Sequence, residues 1–220
     1  MLTCLQPFTR KISRAFFALL PFLLLSQVLT AQTITGDTSV CAGEKVYYSV
    51  MPTGNSYSWN ITGGTVSGNP NNDTVAIIWG PAGSGNIITT VFTNAGPVYA
   101  SLAVTIHALP NPSIVTAPYL TCPTTSSGTQ GGSGQPDGSS HCAKVCEYAT
   151  LSYSTALNAG STYQWIVTGA SGFTGQGTNA VNVTWDASLN GSITVIETNV
   201  WGCVDSAEIC VEKVSRPTAQ

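Results

Sequence analysis

Charge is what this sequence has least of. Only 8% of its 220 residues are Asp, Glu, Lys or Arg, against about 25% in an ordinary soluble domain. Seven cations cannot neutralise a run of phosphates, which excludes a basic nucleic-acid binder. The same shortage excludes a charge-rich coiled coil. With two histidines the chain has little to build a His-rich metal site from. Long apolar runs are missing as well. The most apolar stretch, Ala15 to Leu25, is broken by Pro21 and falls short of the roughly 20 residues that cross a bilayer. Beyond it no window carries an apolar period of about 3.6 residues, so a helical architecture is not expected.

Arg10, Lys11 and Arg14 precede the apolar stretch, and Ser26 to Ala31 follow it with a small residue for cleavage. Residues 1–31 therefore read as a signal peptide, which directs the chain out of the cell. No Cys directly follows the apolar stretch, so a lipid anchor is not expected, and Cys4 leaves with the segment. The rest keeps four cations (Lys45, Lys144, Lys213, Arg216) against ten acids, a net charge of −6. Such a surface does not seek anionic membranes.

What the sequence does have is a repeat. Adding 106 to a residue number carries Tyr57-x-Trp59 onto Tyr163-x-Trp165, Thr62-Gly63 onto Thr168-Gly169, Val75 onto Val181, Trp79 onto Trp185, Gly85 onto Gly191, Ile87 onto Ile193 and Gly96 onto Gly202. Four of the five Trp residues fall into pairs at that one offset. The chain is a tandem: module 1 over 32–109 and module 2 over 142–220, with a junction and a Gly/Ser/Thr-rich insertion over 110–141. Each half reads as short strands rich in Val, Ile, Thr and aromatics, punctuated by Gly, Asn and Pro. In module 1 these are 45–50, 56–61, 74–79, 85–93 and 98–108; in module 2, 149–154, 162–168, 180–185, 191–199 and 205–214. Val181-Asn-Val-Thr-Trp185 alternates apolar and polar, the mark of a sheet with one buried face. Modules of about 95 residues with an early Trp suit an all-β, immunoglobulin-like sandwich whose Trp fills the space between sheets. The paired Trp residues could instead stack on sugars, but positions repeated in both halves are more simply explained by the shared core.

Val145-Cys146, Tyr163-x-Trp165, Val181-x-Val183-x-Trp185, Thr198-Asn199 and Gly202-Cys203 together resemble the PKD-like repeats of secreted and cell-surface proteins of Bacteroidetes-type bacteria. Module 1 carries Val40-Cys41, Tyr57-x-Trp59, Val75-x-Ile77-x-Trp79, Thr93-Asn94 and Gly96, with Pro97 in place of the second Cys. The resemblance covers residues 33–215. It implies an immunoglobulin-like sandwich used as spacer, scaffold or adhesive module. The Trp-Asp-Phe-Gly-Asp-Gly signature of typical PKD domains is absent.

Six cysteines follow the signal segment: Cys41, Cys122, Cys142, Cys146, Cys203 and Cys210. An exported chain favours disulfides, and six thiols allow fifteen connectivities. The family pattern pairs Cys146 with Cys203. Ala207, Ile209 and Val211 alternate with Glu208, Cys210 and Glu212, which puts Cys210 on an outward face, where Cys142 or Cys122 could reach it from a neighbouring first strand. Cys41 is then free or joined to Cys122. A Cys₃His zinc set of Cys122, His141, Cys142 and Cys146 competes, but it lacks a Cys-x2-Cys knuckle.

Residues 123–141 hold almost no apolar side chain and read as a flexible loop. His107 and His141 have no placeable carboxylate and oxyanion hole beside them, and no acidic residue recurs in both modules, so neither a Ser-His-Asp set nor a glycosidase pair takes shape. Asn69, Asn71, Asn72 and Asp73 crowd one loop that could hold Ca²⁺, although turn formation explains them equally. Asp73-Thr74-Val75 and Asp205-Ser206-Ala207 resemble the O-glycosylation acceptor triplet of Bacteroidetes-type secreted proteins. Trp201, the one Trp without a repeat partner, could cover a disulfide or contact a ligand. The expectation is a non-enzymatic extracellular spacer, scaffold or adhesion pair without cofactor. Its expected partners are other domains of a larger protein, with glycans or surface proteins as further candidates. The alternative is a carbohydrate-binding accessory domain of a secreted hydrolase, gripping polysaccharide with Trp201, Tyr119 and Tyr148.

Overall fold

A computed structural model describes residues 32–116 and 142–215. The signal-peptide reading, Tyr119, Cys122 and most of the 110–141 insertion lie outside the described residues. All regular structure within them is β. Module 1 runs β1 (Thr33–Thr35), β2 (Ser39–Cys41), β3 (Lys45–Met51), β4 (Ser56–Thr62), β5 (Gly64–Ser67), β6 (Thr74–Trp79), β7 (Gly83–Thr93) and β8 (Gly96–His107). Module 2 runs β9 (Val115–Thr116), β10 (Ala143–Cys146), β11 (Thr150–Ser154), β12 (Thr162–Thr168), β13 (Ala170–Thr174), β14 (Ala180–Trp185), β15 (Asn190–Thr198) and β16 (Val204–Val214). The sheets are β1-β3-β6-β5 with β2-β8-β7-β4, and β9-β11-β14-β13 with β10-β16-β15-β12. One connectivity is thus drawn twice. In each module the first strand is split, its start pairing antiparallel in one sheet and its continuation parallel in the other. Strand β9 falls inside the stretch read as junction, so the second sandwich takes its edge strand from there.

The repeated residues are the core. Trp79 and Trp185 end β6 and β14 fully buried, and each donates its indole N–H to a tyrosine on the neighbouring strand, Tyr48 and Tyr153, at 3.1 Å. The rings meet edge to face. Burial pushes both phenols up, Tyr153 to about 12. A side chain at Gly85 or Gly191 would run into the indole at 2.4 or 2.7 Å, which is why glycine recurs there. Trp59 and Trp165 donate to the carbonyls of Asn72 and Thr178. The sugar-stacking alternative for these four does not apply, since all are buried.

Superposed position by position, module 2 departs from module 1 at a few places. Val195, opposite Trp165, is Thr89 in module 1, opposite Trp59. Thr89 is fully buried and its hydroxyl has no partner. Thr89→Val removes that orphan without changing volume and should stabilise module 1 by about 1 kcal/mol, read as a raised urea midpoint at constant slope. Glu197 stands buried where module 1 has Val91, with Oε1 accepting from Asn158 at 2.8 Å. Lys213 stands buried where module 1 has Ile106. Its ammonium donates to the carboxylate of Asp186 at 2.7 Å, to Ser188 Oγ at 2.5 Å and to the carbonyls of Asn190 and Gly169. It also lies 5.4 Å from the Trp185 ring centroid. That network holds Asp186 down at about 2, with the Lys213 hydrogen bond as the largest cause and Ser188 next.

Candidate functional site at the module junction

The cysteines do not pair as the family pattern implied. Cys203 is joined to Cys41, across the modules, over a separation of 162 residues. The register explains why Cys146 cannot reach Cys203. Cys146 lies beside Val214, at the far end of β16, whereas Cys203 precedes Val204 at its start. Eleven extended residues span about 35 Å, far beyond the roughly 7 Å that a disulfide tolerates between Cα atoms. Cys41 is therefore neither free nor joined to Cys122. Cys142 is joined to Cys210, because the parallel pairing of Ala143 with Val211 sets their neighbours side by side. Cys146 is also disulfide-bonded. Neither Cys142 nor Cys146 offers a thiolate, so the Cys₃His zinc alternative fails.

The junction is built from strand ends. Cys41 ends β2, and its register partner His107 ends β8. Both therefore sit where module 1 hands the chain on. Ser39 Oγ fixes the imidazole at Nε2, 2.9 Å away. From module 2 comes the β15–β16 turn. Its counterpart in module 1 joins Thr93 to Gly96 through two residues, but here Val200, Trp201 and Gly202 join Asn199 to Cys203. That added residue places Cys203, and not its neighbour Gly202, opposite Gly96 of module 1. Asn199 organises the turn: its Oδ1 accepts from the backbone N–H of Trp201 and of Cys203, each at 3.0 Å. Its Nδ2 donates across the junction to the carbonyl of Ala108 at 3.0 Å. Trp201 then stacks on His107, with ring centroids 4.7 Å apart and planes 12° from parallel.

Three contacts of different kinds, a covalent bond, an aromatic stack and a hydrogen bond, thus converge on one corner. Trp201 is the residue singled out as unpaired in the repeat, and one face of its indole is taken by His107 while the residue stays 58% exposed. Tyr148 is 61% exposed in a turn. Asn69 donates its Nδ2 to Asn72 Oδ1 and accepts at Oδ1 from the backbone N–H of Asn71, while the Asn72 carbonyl accepts from Trp59. Among the described residues no three His, Cys, Asp or Glu side chains gather as a metal site. A groove of about 390 Å³ on the outer face of β11-β14-β13, lined by Thr150, Phe173, Asn182 and Thr184 among others, contains no titratable side chain.

Two immunoglobulin-like sandwiches with a covalent corner define the class: a tandem of all-β modules. The PKD-like domain family matches the chain twice, over residues 27–104 and 135–211. The chain belongs to that family. No curated protein matches it. Among solved structures it is similar to the fibronectin(III)-like modules of Clostridium thermocellum CbhA, at 13% identity and TM-score 0.37, covering 84% of this chain and 95% of that one. It is also similar to a SusE-like surface-located polysaccharide-binding protein of Bacteroides thetaiotaomicron, at 10% identity and TM-score 0.41, over 83% of this chain and 34% of that one. A third is the Yersinia pseudotuberculosis adhesin InvE, at 9% identity and TM-score 0.31, over 82% of this chain and 58% of that one.

Proposed function

We propose that this chain is a non-catalytic, extracellular structural and adhesive pair, which holds other parts of a larger secreted or surface protein at a fixed spacing and angle. The observation that carries this reading is the Cys41–Cys203 bond. A flexible linker would serve if reach alone mattered. A disulfide between modules serves only where orientation matters, and it forms and persists in an oxidising compartment. PKD-like modules are generally non-catalytic. Among the described residues no helix is long and apolar enough to cross a membrane. The exposed hydroxyls of Thr74 and Ser206 are accessible for the O-glycosylation that their triplets suggest.

Small-angle scattering of the oxidised chain tests the proposal. A single inter-module orientation should fit the oxidised protein. A Cys41→Ser/Cys203→Ser variant should need an ensemble of orientations, while Cys142→Ser/Cys210→Ser should not, because that bond lies within module 2. Equal flexibility in all three proteins would defeat the spacer reading.

A further inference from the structure

The repeat offers an internal control for surface residues: a position that the fold does not dictate is free to differ between modules. The outer face of β4-β7-β8 in module 1 differs most tellingly. None of the residues of β2, β4, β7 and β8 is Asp, Glu, Lys or Arg. The alternation that buries Trp59, Ile87, Val91 and Val104 turns Ile88, Phe92 and Tyr99 outward, and they are 42%, 44% and 67% exposed. Tyr99 pairs with Thr90, Phe92 with Pro97 and Ile88 with Ser101. Phe92 and Ile88 are therefore its diagonal neighbours, within about 8 Å of it across the strands. Exposed Ser58, Asn60 and Ser101 flank this row. The equivalent positions in module 2 are Thr194, Thr198 and Ser206, with Glu208 in place of Ser101. That face has no aromatic, and Glu208 and Glu212 stand on it.

We infer that this face of module 1 is a binding site for an uncharged polysaccharide, with Tyr99 and Phe92 as stacking platforms. A sugar ring has an apolar face of C–H groups and an equator of hydroxyls. The face offers the complement of both: flat aromatic and aliphatic surface for the first, and hydroxyl and amide side chains for the second. The lack of any charge is the argument for a neutral ligand. An anionic glycan would find no cation to offset its desolvation, and a charged protein partner would find no complementary field. The site goes beyond the spacer role, which needs only the junction.

The test is depletion from solution by insoluble cellulose, chitin and β-1,3-glucan, with immobilised heparin and polygalacturonate as charged comparisons. The full chain should bind at least one neutral polymer and keep its affinity in about 1 M salt, since no ion pair is involved. Phe92→Thr/Tyr99→Ser installs the residues of module 2 and should weaken binding at least about tenfold with an unchanged melting profile. Trp201→Ala should leave binding intact. Retention on charged polymers alone, no binding to any neutral one, or full binding by the double variant would overturn the site. So would a concentration-dependent dimer that the double variant abolishes, because the face would then meet a second copy. None of these outcomes touches the scattering result at the junction.

Discussion

With serine at both Cys41 and Cys203, module 2 should unfold at a clearly lower urea concentration than in the oxidised chain, both without reductant. Once module 2 unfolds, its chain is tethered at two places: where it leaves β8 at His107, and at Cys203. Cys41 is the register partner of His107. The bond therefore closes essentially the whole stretch from the end of module 1 to Cys203, on the order of 100 residues, and the chain-entropy account gives about 5 kcal/mol for a loop of that size. The Cys142–Cys210 bond spans 68 residues and is worth about 4 kcal/mol on the same account. Both losses are large beside a domain's total stability of roughly 5–15 kcal/mol. They separate in kind, since only the first frees the inter-module angle. Intrinsic Trp fluorescence follows the transition, because Trp165 and Trp185 report the core of module 2 and Trp201 the junction. A midpoint unchanged on losing Cys41–Cys203 would show that the bond is incidental to the fold.

Lys213→Ala should strongly destabilise module 2. The side chain is buried, so truncation leaves a cavity beside Trp185 and strips a donor from the carbonyls of Gly169 and Asn190. Each of those effects is destabilising, together about 3 kcal/mol or more. The ion pair itself adds little on this count, since Asp186 is partly solvated. Module 1 supplies the rescue. It has Ile106 at the lysine position and Gly80 at the aspartate position, and its core closes without charge. Lys213→Ile with Asp186→Gly should therefore recover most of the loss, because replacing a buried polar set by apolar packing differs from breaking it. The pH profile distinguishes the two. Asp186 is depressed to about 2 in the folded state, below its ordinary 3.8. Its contribution is present above about pH 4 and is lost as pH falls towards 2. The double variant should lose that acid-side decline, and denaturation at pH 5 and pH 2.5 measures it.

Much of the architecture is written locally. Val181-Asn-Val-Thr-Trp185 alternates because one face of β14 is buried, and β3, β4, β12 and β15 bury alternate residues in the same way. The strands β1, β2, β5, β9, β10 and β13, each at one edge of its sheet, run only two to five residues. That is too short for alternation to stand out from the surrounding turns. The outward side of Cys210 was legible from its own strand, and the parallel pairing of first and last strands brought Cys142 to it.

The repeat, the Trp-centred sandwich and the poverty of charge are legible in the chain alone. Each is carried by residues a few positions apart, through periodicities that backbone geometry fixes. Tertiary structure alone decided the Cys41–Cys203 bond, the stack of Trp201 on His107, the carbonyl cage around Lys213 and the aromatic row on β7 and β8. Each joins groups from separate strands or separate modules, and which groups meet there depends on register, turn length and the seating of one sandwich on the next. One residue more in the β15–β16 turn moves Cys203 to the corner where Cys41 waits, a difference that no local pattern records.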